Sequence, residues 1–193
     1  EFYFLQIRPM VVGREALQIN LDETADWWCC SRRTIGNGLF SDIHDIIYVD
    51  PDTFHIQDTV QIAAEIGELN KRLYAEGRRC ILIGFGRLGT TDRWLGIPLA
   101  WEQMSQALVI VEVDRQDLRP EPSLGSHFFH NLTATNMGYF HIQYDNEPDS
   151  ILDWEWLQSQ PVLQQTPRVK LVRRDAPFQA KVDGRSFRGM IAK

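Results

Sequence analysis

An amphipathic segment that leads directly into a short, wholly apolar one constrains the fold more than any other feature of the chain. Apolar residues recur at helical spacing on one face of the segment 58–76: Ile62, Ile66, Leu69 and Leu73. Asp58 is predicted to be the N-cap, and Gly77 is a natural helix stop. The apolar run at 80–83 does not alternate, which predicts a strand buried on both faces. A helix followed by such a strand is typical of an α/β fold.

The rest of the chain is predicted to form strands and a few short helices. Strands are predicted at 2–7, 16–21, 27–31, 43–49, 108–113, 138–144 and 168–173, and short helices at 101–106, 126–132 and 150–158. Asp183 and Gly184 predict the turn of a hairpin between 178–182 and 187–192. Residues 36–40 fit either a turn entering a strand or a loop packed on the core. The expected fold is α/β, with a mixed sheet, helices packed against it and a C-terminal β-hairpin.

Length and composition limit the number of domains and disfavour some classes of protein. A chain of 193 residues can form one domain with a sizeable core. We expect an α/β domain at 11–160 and a small C-terminal β unit at 161–193, packed on the same domain. The net charge of −6 disfavours a nucleic-acid-binding surface. The sequence has no apolar stretch of about 18 residues that would predict a membrane span.

Cysteine content bears on the compartment and on metal binding. Three cysteines, two of them adjacent at 29–30, provide neither a disulfide framework nor metal-site spacing. A reducing cytoplasm fits this pattern, and no metal site is predicted. His127 and His130 share a helix face, but no third ligand is evident, so a structural role among aromatic residues is the alternative.

The strongest candidate site is the glycine-rich loop that follows the 80–83 strand. Its donors for an anion are Gly84, Gly86, Arg87, Gly89, Thr90, Thr91 and Arg93. Glycines let backbone amides approach a ligand closely, and arginines and hydroxyls add donors. A second set surrounds a predicted helix start, where amides are exposed: Ser123, Gly125, Ser126 and His127. The alternative is that these are ordinary glycine-rich turns that bind nothing.

Two further features have open interpretations. Glu112 lies in a predicted buried strand, where it either faces a cleft as a metal ligand or base, or faces outward or pairs with an arginine. Trp94, Trp101, Trp154 and Trp156 allow a structural or dimerising module. Since Trp154 and Trp156 are two residues apart, they do not share a helix face, and at least one is expected to be partly exposed.

Three stretches resemble a known family. The opening Phe4–Pro9 resembles the Leu-Gln-x-Arg-Pro strand that closes the ATP-grasp domain of pyruvate phosphate dikinases and phosphoenolpyruvate synthases. The segments 83–92 with 95–98, and 121–129, look like parts of large bacterial proteins with that family's PEP/pyruvate-binding domain. The resemblance implies that residues 1–10 end a preceding ATP-grasp-type domain, so that the chain is a fragment of a longer protein. Residues 89–92 and 95–98 also echo the family's phosphohistidine segment, but with shorter spacing and without its histidine.

The resemblance implies a phosphotransferase-like kinase in which this C-terminal region is noncatalytic alone and supports or docks on the ATP-binding module. ATP and Mg²⁺ are then expected as cofactors of the full-length protein, not of this fragment. The expected partners are the remaining domains of the same polypeptide, with a homo-oligomer also possible. The alternatives are an autonomous nucleotide- or phosphate-binding domain that uses the loop 84–93, and a structural dimerisation module.

Overall fold

A computed structural model describes residues 19, 21, 26–121, 135–143 and 150–193. Four predictions lie wholly or mostly outside these residues: the strands at 2–7 and 16–21, the helix at 126–132, and the anion-binding set at 123–127. Within the described residues the fold is a mixed α/β structure, as the sequence predicts.

The strands of the described residues range from 2 to 15 residues and form two sheets, one of ten strands and one of two. The strands are β1 (Trp27–Ser31), β2 (Thr34–Ile35), β3 (Gly38–Val49), β4 (Cys80–Phe85), β5 (Arg87–Leu88), β6 (Gly96–Ile97), β7 (Ala107–Val113), β8 (Gly138–Ile142), β9 (Ile151–Leu152), β10 (Val162–Gln165), β11 (Val169–Asp183) and β12 (Arg188–Ala192). The α-helices are α1 (Thr59–Ala75) and α2 (Trp154–Gln158), with 3₁₀ turns at Ile56–Asp58 and Trp101–Met104. None of the helices in the described part of the chain is long and apolar enough to cross a membrane.

Four parallel strands form the centre of the fold. In the main sheet the strand order is β2-β8-β7-β4-β3-β11-β12-β1-β9, and β10 pairs with β11. β3, β4, β7 and β8 run parallel to one another, whereas β11 pairs antiparallel with β3. Every residue of β4 is buried, as expected for a strand covered on both faces. The carboxyl ends of the four strands therefore lie along one edge of the sheet.

The helix α1 connects β3 to β4 and covers the sheet with its apolar face. Its buried residues include the four predicted from helical spacing, Ile62, Ile66, Leu69 and Leu73. Asp58 occupies the N-cap position, but its side chain makes no cap hydrogen bond. It instead pairs with Arg168 at 3.0 Å. The helix start is thus joined to the C-terminal part of the chain by an ion pair rather than capped locally.

The sheet curls until its two halves approach each other. β1 and β2 are separated by only two residues, yet β2 is the first strand of the order and β1 is the last but one. The connection between them hydrogen-bonds β8: the Ser31 hydroxyl donates to the His141 carbonyl at 2.7 Å, and the His141 amide donates to the Arg33 carbonyl at 2.9 Å. These bonds place β8 beside β1 as well as beside β7. The aromatic residues Trp28, Phe40, Phe140 and Phe178 are buried in the core.

The C-terminal strands belong to the same sheet. β11 and β12 form the predicted hairpin, with Asp183 opposite Arg188 at its turn end. β11 also pairs with β3 from Val169 opposite Val49 to Val182 opposite Gly38. The segment 161–193 therefore adds three strands to the sheet that contains the parallel core.

An ion-pair network joins β3 and β11 to the end of α1. The Asp45 carboxylate is fully buried and accepts from Nε of Arg78 and Nε of Arg173, each at 2.6 Å. Arg173 also contacts Glu76 at the end of α1 at 2.5 Å. Strand β3, strand β11 and the connection from α1 to β4 are joined through this one carboxylate.

Candidate functional site

A pocket opens at the carboxyl edge of the parallel strands. Strand β3 leads there into Asp50 and Pro51, β4 ends at Phe85, and β7 leads into the segment 114–117. The cavity has a volume of about 730 Å³ and is lined by Pro51, Phe85, Val113, Asp114, Arg115, Gln116, Asp117 and Trp154. Loops at this edge of a parallel sheet are the usual location of ligand sites in α/β proteins.

Aromatic rings form the apolar part of the pocket. Phe85 stacks on Trp154 with ring centroids 5.5 Å apart and packs on Phe54 at 4.9 Å. Trp154 is the first residue of α2, whose start is fixed because Asp153 accepts a hydrogen bond from the Trp156 amide at 2.9 Å. The short helix thus holds the indole against the end of β4.

Arg115 is the cation of the pocket, and much of its hydrogen-bonding capacity is already used. Its guanidinium carbon lies 5.1 Å from the Phe85 ring centroid and 5.2 Å from that of Phe54. One terminal nitrogen donates to the Pro51 carbonyl at 3.2 Å, and Nε donates to Asp117 at 3.3 Å. The side chain is consequently held against the aromatic floor.

Asp114 and His141 form a buried pair beside the pocket. Their side chains are 8% and 4% exposed, and Nε2 of His141 lies 3.0 Å from Oδ1 of Asp114. With a carboxylate as its neighbour, Nε2 carries the proton and donates it. Nδ1 of His141 is buried, and within the described residues it has no hydrogen-bond partner. The pair therefore consists of a carboxylate that borders the pocket and an imidazole that fixes one of its oxygens.

Glu112 contacts two neighbouring segments of the fold. It is buried in β7, accepts from the Leu88 amide at 2.8 Å through Oε1, and accepts from the Tyr139 hydroxyl at 2.7 Å through Oε2. Glu112 is not among the described residues that line the pocket. Its two hydrogen bonds join β7 to the glycine-rich loop and to β8.

The glycines of the predicted site allow β4 and the segment after it to pack tightly. The Gly86 amide donates to the Val113 carbonyl at 3.0 Å, and the Gly89 amide donates to the Ile97 carbonyl at 2.9 Å. A Cβ on Gly84 would lie 2.7 Å from the Leu88 side chain. These amides are thus engaged by protein carbonyls, and Gly84 provides space for Leu88.

The polar side chains of the loop also have protein contacts. Arg87 donates through Nε to the Glu121 carbonyl at 2.6 Å, and Arg93 donates to the Gln57 carbonyl and lies over the Trp94 ring. The Thr90 hydroxyl donates to the Asp92 carbonyl at 3.3 Å, and Thr91 is exposed. The structure places Gly84 inside β4 and places the other predicted residues in the segment that leaves β4 next to the pocket: Gly86, Arg87, Gly89, Thr90, Thr91 and Arg93. Ser123, Gly125, Ser126 and His127 lie outside the described residues.

The residues of the pocket are absent from the set predicted from sequence. Asp114, Arg115, Trp154 and His141 come from three separate segments, and only the fold brings them together. One signal was present: a charged residue directly follows two of the buried parallel strands, Asp50 after β3 and Asp114 after β7. The described residues include no group of three or more His, Cys, Asp or Glu side chains arranged to hold a metal ion.

Comparisons of the chain with protein-family models, curated proteins and solved structures give no match.

Proposed function

We propose that this chain is a small-molecule-binding α/β domain and that its ligand occupies the pocket at the carboxyl edge of the parallel strands. The observation that carries the proposal is the composition of that pocket: an aromatic wall from Phe85 and Trp154 next to the buried carboxylate of Asp114. Binding pockets combine such apolar walls with a few placed polar groups. A volume of about 730 Å³ lies within the range of pockets for drug-sized ligands.

We further propose that the domain serves a phosphoenolpyruvate synthase-like or pyruvate phosphate dikinase-like phosphotransferase of the cytoplasm. In this proposal the domain is noncatalytic alone, and its partners are the other domains of the polypeptide, with a homo-oligomer as an additional arrangement. ATP and Mg²⁺ belong to the ATP-binding module of the full-length protein. Support comes from the resemblance of 83–92 and 95–98, which lie in the loop that leaves β4 beside the pocket.

Two rival functions use other parts of the same surface. A phosphate- or nucleotide-binding loop at 84–93 is favoured by the half-buried arginines Arg87 and Arg93 and by the exposed Thr91. It requires an anion to compete with the carbonyl groups that these arginines already contact. A dimerisation module is favoured by Trp94, which is 58% exposed. Both rivals predict that the pocket residues are unimportant for binding.

The proposal is tested by titrating the chain with benzylamine, benzyl alcohol, benzoate, ATP, phosphoenolpyruvate and inorganic phosphate, monitored by calorimetry and by NMR line broadening. At least one aromatic probe is expected to bind, and Trp154→Leu is expected to weaken that binding at least about fivefold, since one stacked ring contributes roughly 1 kcal/mol or more. Trp94→Leu is the matched control because Trp94 is exposed and does not line the pocket.

The outcomes separate the three functions. Retention of full aromatic-probe affinity in Trp154→Leu would overturn the pocket as the binding site. Binding of ATP or phosphate that Arg87→Ala abolishes and Trp154→Leu leaves intact would favour the loop. A dimer in sedimentation experiments that Trp94→Leu dissociates, without binding of any probe, would favour the dimerisation module.

A further inference from the structure

We infer that the pocket selects an organic cation, a molecule in which an ammonium or guanidinium group is attached to a flat apolar body. The inference rests on the proposed function and specifies the class of its ligand. Its starting point is the charge and hydrogen-bonding state of Asp114, the most buried acidic side chain that lines the pocket.

The Asp114 carboxylate is incompletely paired by the protein. Oδ1 accepts from His141, whereas Oδ2 has no hydrogen-bond donor among the described residues. The side chain is only 8% exposed, and Oδ2 is not among the fully buried atoms without a partner, so it is the oxygen that stays accessible to a ligand. A buried carboxylate is strongly destabilised unless donors or opposite charges surround it. A ligand N–H group at Oδ2 would supply the missing interaction.

The other charges of the pocket do not favour an anion. Asp114 and Asp117 both line the cavity, and among the described lining residues Arg115 is the one cationic side chain. Arg115 already donates to Pro51 and to Asp117. The nearby Asp50 forms its own ion pair with Lys170 at 2.6 Å. An anionic ligand would therefore meet two carboxylates and an arginine that is already engaged.

The aromatic floor is suited to a cation and already holds one. The guanidinium of Arg115 lies over the rings of Phe54 and Phe85, at centroid distances of 5.2 and 5.1 Å. Trp154 extends this aromatic surface along the pocket wall, in stacking contact with Phe85. Indole is the best of the aromatic side chains for binding cations. A ligand cation between Trp154 and Asp114 would gain attraction from both groups.

His141 acts as a positioning residue in this arrangement. Its backbone is fixed because the amide donates to Arg33 and the carbonyl accepts from Ser31. The imidazole consequently holds Oδ1 of Asp114 at 3.0 Å and restricts rotation of the carboxylate. Restricting the carboxylate before binding lowers the entropy cost of forming a hydrogen bond to the ligand.

The experiment compares three probes of nearly equal shape, benzylamine, benzyl alcohol and benzoate, which carry positive, zero and negative charge. Benzylamine is expected to bind the wild-type chain at least about tenfold more tightly than benzyl alcohol, because a charge-assisted hydrogen bond adds roughly 1.5 kcal/mol or more. Benzoate is expected to bind most weakly. If benzyl alcohol or benzoate binds as tightly as benzylamine, the cation inference fails and the proposed pocket stands. If none of the three binds, both fail.

Variants then test the residue that carries the charge. Asp114→Asn keeps the shape of the side chain and removes its charge, so benzylamine affinity is expected to fall to that of benzyl alcohol, which should itself change little. Asp175→Asn is the matched control, because Asp175 is exposed and does not line the pocket; it is expected to change benzylamine affinity by no more than about twofold. An equal loss in both variants would overturn the assignment to Asp114. Since Asp114→Asn also alters the contact with His141, thermal unfolding of each variant is measured, and the probe series on wild type decides the charge preference without any substitution.

Discussion

At the scale of single residues, the three cysteines of this fold differ in exposure. Cys29 and Cys80 are 0% and 1% exposed, whereas Cys30 is partly exposed. Burial raises the pKa of the Cys29 thiol well above its ordinary value, and the neighbouring Cys30 raises it further. Burial also raises the pKa of Cys80, with a smaller upward contribution from Asp45. The thiolate is the reactive form. Both buried thiols are therefore protected from reagents in two ways, by lack of access and by a raised pKa that keeps them protonated.

We therefore expect one thiol to react in the native protein at pH 8 and three after denaturation, measured with a chromogenic disulfide reagent. Cys30→Ser is expected to remove the fast native phase, whereas Cys80→Ser should leave its rate unchanged. A fast phase that persists in Cys30→Ser would contradict the burial of Cys29 and Cys80.

The predicted anion site shows how far residue types alone can locate a site. Gly84, Gly86, Arg87 and Arg93 indicate an anion site because their donors are conspicuous in the sequence. In the fold, the Gly86 amide and both arginines donate to protein carbonyls, and Gly84 provides space for Leu88. Sequence reveals which donors exist but not which acceptors the fold brings to them. In the sequence Asp114 is distinguished only by its position after a buried strand, and its significance depends on its burial beside His141.

At the scale of elements, the pairing of β5 with β6 depends on one glycine. Gly96 has φ of +154°, and a Cβ there would lie 2.1 Å from the Arg87 carbonyl oxygen. Gly38 at the start of β3 has the same φ of +154°, but a Cβ on Gly38 would have no neighbouring heavy atom within 4 Å. The two positions thus share the same φ and differ in the available space.

Gly96→Ala is expected to lower the free energy of unfolding by at least about 2 kcal/mol more than Gly38→Ala, because steric overlap is added to the backbone strain that both substitutions cause. Urea unfolding followed by circular dichroism gives both values. Equal losses in the two variants would mean that the close approach of β6 to β5 contributes nothing beyond backbone strain.

Elements with a local sequence pattern are predicted at nearly the correct positions. The length of a strand that depends on pairing with a distant strand is not. The helix α1 and the strands β1, β4 and β7 have periodic or continuous apolar patterns, and each lies within a few residues of its predicted position. The segments 168–173 and 178–182 were predicted as two strands, but they belong to one strand, β11. The interruption is a shift of register between Arg173 and Phe178, across a stretch that contains Pro177. Proline lacks an amide donor, so its presence in sequence favours a break that pairing with β3 overcomes.

At the scale of the whole molecule, strand order depends on contacts between distant parts of the chain. The C-terminal strand β11 lies between β3 and β12, and β12 in turn lies between β11 and β1. Arg173, one of the two arginines that pair with the buried Asp45 carboxylate, lies in β11. No local pattern encodes this order, because it arises only when residues more than about 100 positions apart meet.

Truncation after residue 160 tests whether the sheet depends on these strands. Removing β10, β11 and β12 exposes the antiparallel edge of β3, removes the strands that link β3 to β1 and takes Arg173 away from Asp45. We expect the truncated chain to lose its cooperative thermal transition and its near-ultraviolet circular dichroism, with the full-length chain as the control. A peptide of residues 161–193 added in trans is expected to restore part of the signal, since it supplies the missing strands. A truncated chain that melts cooperatively near the full-length midpoint would instead mean that 161–193 is a separate unit and that the parallel core, with the pocket at its carboxyl edge, folds without it.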